Sequence, residues 1–169
     1  MSRTIDLNAD LGEGMPWDAE VLKSVTSANV SCGAHAGEPE LIARTLAKAK
    51  QLGVVVGAHP SWPDRKGFGR VERSATVEEV KDLVIQQVKS LQSLAEPLGV
   101  AVRYIKPHGA LYNQAMRIDS ESAPITAGIV GAASLLGLPL MGQPRTNFES
   151  LAVSAGLRYF REAFPDRRY

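Results

Sequence analysis

Strand-like and helix-like segments alternate along the whole chain, and few folds accept that order. Apolar and polar residues alternate with period two over residues 4–10. Ile5, Leu7 and Ala9 fall on one face and Asp6, Asn8 and Asp10 on the other. Further strands are expected at residues 25–32, 54–58 and 100–105, with weaker candidates at 138–141 and 157–160. Helices fill the gaps. Pro39 suits a first helical turn, Leu41, Ile42, Leu46 and Ala49 follow at helical spacing, and Gly53 stands where a C-terminal cap belongs. Thr76 and Glu79 have the spacing of a capping box, ahead of a stripe of Leu83, Val84, Val88, Leu91 and Leu94 that Gly99 closes. Two more helices are expected over roughly 120–136 and from 147 to about 156.

This βαβα order implies an α/β fold with a mostly parallel sheet and right-handed crossovers. The sheet is either open and doubly wound or curled into a barrel. Polar residues on one face of the first strand favour the barrel, whose interior turns polar at its mouth. A full barrel takes about 250 residues, and this chain has 169. The expectation is one barrel-type domain over 1–169, incomplete or truncated.

Composition excludes several classes. Nineteen Lys and Arg against eighteen Asp and Glu give no charge bias toward nucleic acid or membrane. No apolar run approaches a membrane span, and the N-terminus lacks the apolar stretch of a signal peptide. The single Cys32 has no internal disulfide partner, which suits a reducing cytoplasm, and reads better as a small buried hydrophobe than as a catalytic thiol. Neither a Gly-x-Gly-x-x-Gly fingerprint nor a P-loop is present.

The chemistry-bearing residues sit at strand ends. The three histidines, His35, His59 and His108, each follow a predicted strand at a Gly- or Pro-marked turn. In parallel α/β folds those ends share one face, so distant clusters converge there. Asn8, Asp10 and Glu13 supply oxygens suited to general acid–base work or to a hard cation. Gly12 and Gly14 flank Glu13, which favours this over a solvated edge strand. Asn29, His35 and Glu38 form a second cluster in which the carboxylate could orient the ring; a surface His near a capping Glu competes with it. His59 is followed by a stiff, glycine-punctuated loop whose Arg65 and Arg70 offer forks for a carboxylate or phosphate, with a solvated charged loop as the competing reading. Lys106, two residues before His108, is either a base with a lowered pKa or, beside carboxylates, a permanent cation. Tyr112 and Asn113 add donors. Glu162, with Phe164, Asp166, Arg167 and Tyr169, follows the sixth strand, at even odds with a frayed chain end.

These stretches together resemble the LamB/YcsF family, also called the A subunit of 5-oxoprolinase. The matching residues run from Asp6 to Glu13, from Ser27 to Asn29 and on through Cys32 to Gly37, from Gly57 to Pro60 with Gly67 to Arg70, from Lys106 to Asn113, and over Glu162 to Phe164 with Asp166, Arg167 and Tyr169. The resemblance implies a deformed (β/α) TIM-like barrel of the glycoside hydrolase/deacetylase type, related to metal-dependent polysaccharide deacetylases. It implies ATP-dependent opening of 5-oxo-L-proline to L-glutamate together with partner subunits B and C; whether this chain or a partner subunit binds the ATP is left open. Glu38 departs from the family's usual Asp. Family members also continue past residue 169 with further strands, which puts barrel closure and activity in question.

The resulting expectation is a hydrolase of a cyclic amide, with Asp10, Glu13, His59, Lys106 and His108 catalytic and Asn8, His35, Arg70, Tyr112, Asn113 and Glu162 binding substrate. Two alternatives stand beside it: an autonomous metal-dependent amide hydrolase or deacetylase built from Asp10 and two histidines, and a non-catalytic subunit that presents substrate. The sequence leaves the metal and the oligomeric state open.

Overall fold

A computed structural model describes residues 4–165. Six strands form one parallel sheet in chain order: β1 (Asn8–Leu11), β2 (Ser27–Ser31), β3 (Val55–His59), β4 (Val102–Ile105), β5 (Leu140–Gly142) and β6 (Tyr159–Arg161). A doubly wound sheet reverses strand order part-way, and this one does not. Sequential order with continuous twist curls the sheet into a half-barrel, and among the described residues β1 and β6 are not paired with each other. Six helices follow the strands: α1 (Asp18–Val21), α2 (Pro39–Leu52), α3 (Val77–Ala95), α4 (Gly109–Met116), α5 (Ala123–Leu136) and α6 (Asn147–Ser154). No helix among the described residues is long and apolar enough to cross a membrane.

The sheet's outer face makes the core. Ala28, Val30, Val56, Ala58, Ile105 and Leu140 point outward and meet Ile42, Leu46 and Ala49 of α2, Val80, Val84, Val88 and Leu91 of α3, and Ile125 and Ile129 of α5. Each fully buried Val, Leu or Ile contributes about 1.5–3 kcal/mol relative to exposure, so this layer fixes where the inner face points. The capping box forms: Thr76 accepts from the Glu79 amide and Glu79 reaches back to Thr76.

The strands are shorter than their apolar patterns, because ladder bonding rather than hydropathy ends them. The first starts at Asn8, although the Leu7 carbonyl already accepts from Thr26 and Ser27; Ile5 and Leu7 lie exposed outside it. Helix α4 is an addition to the expected elements. Its sequence begins with a Pro-His-Gly turn signal, and Gly109 enters the helix at φ 57 with no side-chain cap. Asp166, Arg167 and Tyr169, expected beside the sixth strand, lie outside the described residues.

The inner face carries the alternate residues. Asn8 lies opposite Ser27, Asp10 opposite Asn29 and Asn29 opposite Gly57, His59 opposite Ser31, and Tyr104 and Lys106 follow beyond a register shift between β3 and β4. Tyr104 lies across the lumen floor, edge-on to Phe160 with centroids 6.0 Å apart. The ring fits because position 57 has no side chain: a Cβ there would fall 2.2–2.6 Å from three Tyr104 ring atoms. Gly57→Ala is therefore expected to cost about 1–3 kcal/mol by overpacking, read as a lowered urea midpoint, with part recovered in the Gly57→Ala/Tyr104→Ala double variant. An unchanged midpoint would show that the ring does not fill this space.

Candidate active site

Asn8, Asp10, Glu13, His35, His59, Lys106, His108, Tyr112 and Glu162 meet at the C-terminal mouth of the strands, linked by direct contacts. From β1, Asp10 receives a hydrogen bond from Asn29 Nδ2 at 2.7 Å and ion-pairs with Lys106 Nζ at 3.0 Å. Asn8 and Asn29 bond to each other below it, and Asn8 Nδ2 donates to Ser27 Oγ and the Tyr104 hydroxyl. Burial opposes ionisation of Asp10; His59 in its protonated form, the Lys106 ammonium and the Asn29 amide together outweigh it and hold its pKa well below the ordinary range.

Lys106 leaves the end of β4 with its ammonium between two carboxylates, Asp10 at 3.0 Å and Glu162 Oε2 at 3.2 Å. Burial works against the charge, and the two carboxylates overcome it, so its pKa is raised. Of the two roles the sequence left open, the structure selects the permanent cation over the base. Glu162, just past β6, is fixed by the Tyr112 hydroxyl at 2.6 Å, and Phe164 lies 5.3 Å from the ammonium.

The histidines differ in how their nitrogens are committed. His59 Nδ1 lies 2.7 Å from the Lys106 carbonyl, and His108 Nε2 lies 2.9 Å from the Phe68 carbonyl. A carbonyl only accepts, so both of these nitrogens carry the proton. The opposite nitrogens, His59 Nε2 and His108 Nδ1, then face each other at 3.0 Å, with Asp10 Oδ2 at 3.4 Å from the former. His35 has both ring nitrogens engaged: Nε2 lies 2.9 Å from Glu13 Oε1, and Nδ1 lies 2.8 Å from the Ser61 hydroxyl, which also reaches the Trp62 carbonyl at 3.0 Å. It stacks on His108, centroids 3.8 Å apart. Burial lowers the pKa of His35, and burial with the other two imidazoles pushes His108 down to about 4. For Glu13, burial opposes the charge, but the His35 bond and the other histidines prevail and its pKa is lowered.

The loop after β3 forms a wall. Phe68 is held at φ 55, a conformation few side chains adopt, and this aims its carbonyl at His108. Gly69 at φ 67 packs so closely that a Cβ would sit 3.0 Å from His35 Cβ and 3.1 Å from His108 Cδ2. Gln87 of α3 braces the loop through both Ser61 backbone groups.

Glu38, Arg65 and Asn113 stand differently from what the sequence led us to expect. Glu38 does not orient His35. It pairs with Arg65 at 2.5 Å, and Arg65 also bonds the Gly33 and Gly37 carbonyls, so that fork ties two loops together and is not open to an anion. Arg70 is exposed at the rim, 5.4 Å from the Phe68 centroid. Asn113 is exposed on α4; it follows Tyr112 by one residue, and neighbours on a helix do not share a face. Tyr104, Ser27, Ser61 and Phe68 join the site without having been expected there. Tyr104 was within reach of the period-two rule, two residues before Lys106; Phe68 acts through its backbone, which a residue type does not announce.

A model of the LamB/YcsF family matches residues 5–169. The chain belongs to the LamB/YcsF family. It is similar to the 5-oxoprolinase A subunit of Methylococcus capsulatus, 45% identical over 174 residues that cover 100% of this chain and 66% of that one. It is also similar to a 5-oxoprolinase A subunit of Agrobacterium fabrum, 46% identical over 98% of this chain and 66% of the relative. Among solved structures, the lactam utilization protein of Thermus thermophilus superposes with a TM-score of 0.91 at 40% identity, covering 99% of this chain and 69% of that one. This LamB/YcsF chain thus spans about two thirds of the length of the curated relatives it matches.

Cys32 lies outside this network, and burial pushes its thiol up to about 12. At pH 8 that leaves a thiolate fraction of about 10⁻⁴. Alkylation by iodoacetamide is expected to run about a thousandfold slower in the native protein than in guanidinium chloride; equal rates would contradict the raised thiol pKa of this half-buried residue.

Proposed function

We propose that this chain is one subunit of an ATP-dependent 5-oxoprolinase, opening the lactam of 5-oxo-L-proline to L-glutamate with partner subunits B and C, one of which holds the nucleotide. The names of its relatives support the substrate class, and their designation as one lettered subunit supports an assembly of several. The observation that carries the reading is the placing of an anionic Glu13, held by His35, in one contact chain with a permanently charged Lys106.

A lactam amide is stable and its nitrogen leaves poorly. Transfer of the ATP γ-phosphoryl group to the ring oxygen, yielding ADP, activates the carbonyl carbon. Glu13 takes a proton from water as the water oxygen bonds to that carbon. As that bond forms, the electron pair of the ring C=N bond goes to the nitrogen, and the third N–H of Lys106, beyond those aimed at Asp10 and Glu162, is suited to the phosphorylated ring oxygen. The C–N bond breaks, the nitrogen leaves with a proton returned by Glu13, and an acyl phosphate remains. A second water releases phosphate and glutamate, so two waters and one ATP are consumed. Arg70 at the rim is suited to the substrate carboxylate.

A second reading, an amide hydrolase working alone with a metal, is favoured by the Asp10, His59 and His108 donors. Glutamate release from 5-oxoproline, followed with and without ATP and the two partner subunits, separates the two. Turnover only in the complete mixture is expected; turnover by the chain alone without ATP would replace the first reading with the second. In the complete mixture Glu13→Gln is expected to lower kcat by about 10²–10⁴-fold, and full turnover in that variant would remove Glu13 from its role.

A further inference from the structure

The geometry points to a binding site for one divalent first-row transition-metal ion formed by Asp10, His59 and His108, with His35 outside its coordination. This inference does not depend on the lactam or on ATP. It rests on two observations.

The first is nitrogen against nitrogen. The Lys106 and Phe68 carbonyls take the N–H of His59 and His108, so with both rings neutral His59 Nε2 and His108 Nδ1 meet at 3.0 Å as lone pairs. Two lone pairs at that distance repel unless a positive charge lies between them. Backbone carbonyls on the far nitrogens are also what metal-ligating histidines typically have, since they fix the ring and raise its basicity. Two donors at about 2.0–2.1 Å from one ion stand roughly 3–3.4 Å apart. The His59–His108 distance of 3.0 Å and the His59–Asp10 distance of 3.4 Å fall in that range.

The second is charge, which decides between a shared proton and a cation. Asp10, Glu13 and Glu162 bring three negative charges to the mouth, and Lys106 brings the one positive charge among the described residues in contact with them. Glu13 and Glu162 have side chains only 9% and 10% exposed, so water does little to offset their charge. With neutral imidazoles the mouth carries two uncompensated negative charges. One proton removes half of that, and a divalent ion removes all of it. The donor set, two imidazoles and a carboxylate, suits zinc, cobalt, nickel or iron better than magnesium or calcium. A second group of possible donors, Glu13, His35 and His108, does not compete: His35 has both nitrogens engaged, by Glu13 and Ser61.

Metal-stripped protein titrated with Co²⁺ tests this, read by visible absorption and by elemental analysis after dialysis. One equivalent per chain is expected, with the d–d bands of protein-bound cobalt and no displacement by excess Mg²⁺. Asp10→Asn, His59→Gln and His108→Gln are each expected to weaken binding by at least about 100-fold, and His35→Gln by less than about tenfold. Co²⁺ should raise the melting temperature of wild type and of His35→Gln, and not of the three ligand variants. Absence of stoichiometric binding by wild type would overturn the proposal, as would binding retained in His59→Gln and His108→Gln or lost equally in His35→Gln. Circular dichroism checks that each variant folds; where one does not, the wild-type stoichiometry and spectrum decide alone.

Discussion

Polar side chains that face into a narrow strand lumen have little water to fall back on, so each must find its partner inside. The mouth of this half-barrel follows from that constraint. Asn8 and Asn29 satisfy each other and hold Asp10; Asp10 and Glu162 hold Lys106; Tyr112 holds Glu162; two backbone carbonyls hold His59 and His108. Removing one partner leaves another buried group unpaired, and that typically costs more than the bond itself is worth. The result is a set of reactive groups fixed in position before any ligand arrives.

The same packing sorts similar groups into different roles. Three imidazoles lie together, yet each has a distinct pair of neighbours. His35 has a carboxylate and a hydroxyl and is complete. His59 and His108 each turn one nitrogen to a backbone carbonyl and the other toward each other. Lysine and carboxylates divide in the same way: Lys106 keeps its charge because two acids flank it, and Glu13 keeps its own because His35 donates to it. Role follows from contacts here, and residue type alone does not assign it.

Much of this is legible in the residues alone. Period-two alternation puts Asn8 and Asp10 on the lumen face, and the rule that parallel strands share a functional end brings His35, His59, Lys106 and His108 together from separate stretches. The resemblance of those stretches to one family agrees. What escapes is set by tertiary contact. Glu38 lies three residues from His35 and looks like its partner, but Arg65 from the next loop takes it. Asn113 looks like part of the site while the segment reads as a turn; once α4 is helical, Tyr112 faces in and Asn113 faces out. Phe68 contributes a carbonyl and a strained backbone, and neither has a sequence signature.

The Lys106 and Phe68 carbonyls fix the proton positions of His59 and His108. With only three histidines, a long-range ¹H–¹⁵N correlation spectrum of the metal-free protein resolves every imidazole nitrogen. A protonated Nδ1 is expected on His59, and on His108 a protonated Nε2 with an unprotonated Nδ1. A proton on His108 Nδ1 in place of Nε2, or tautomers that average on both rings, would contradict this assignment.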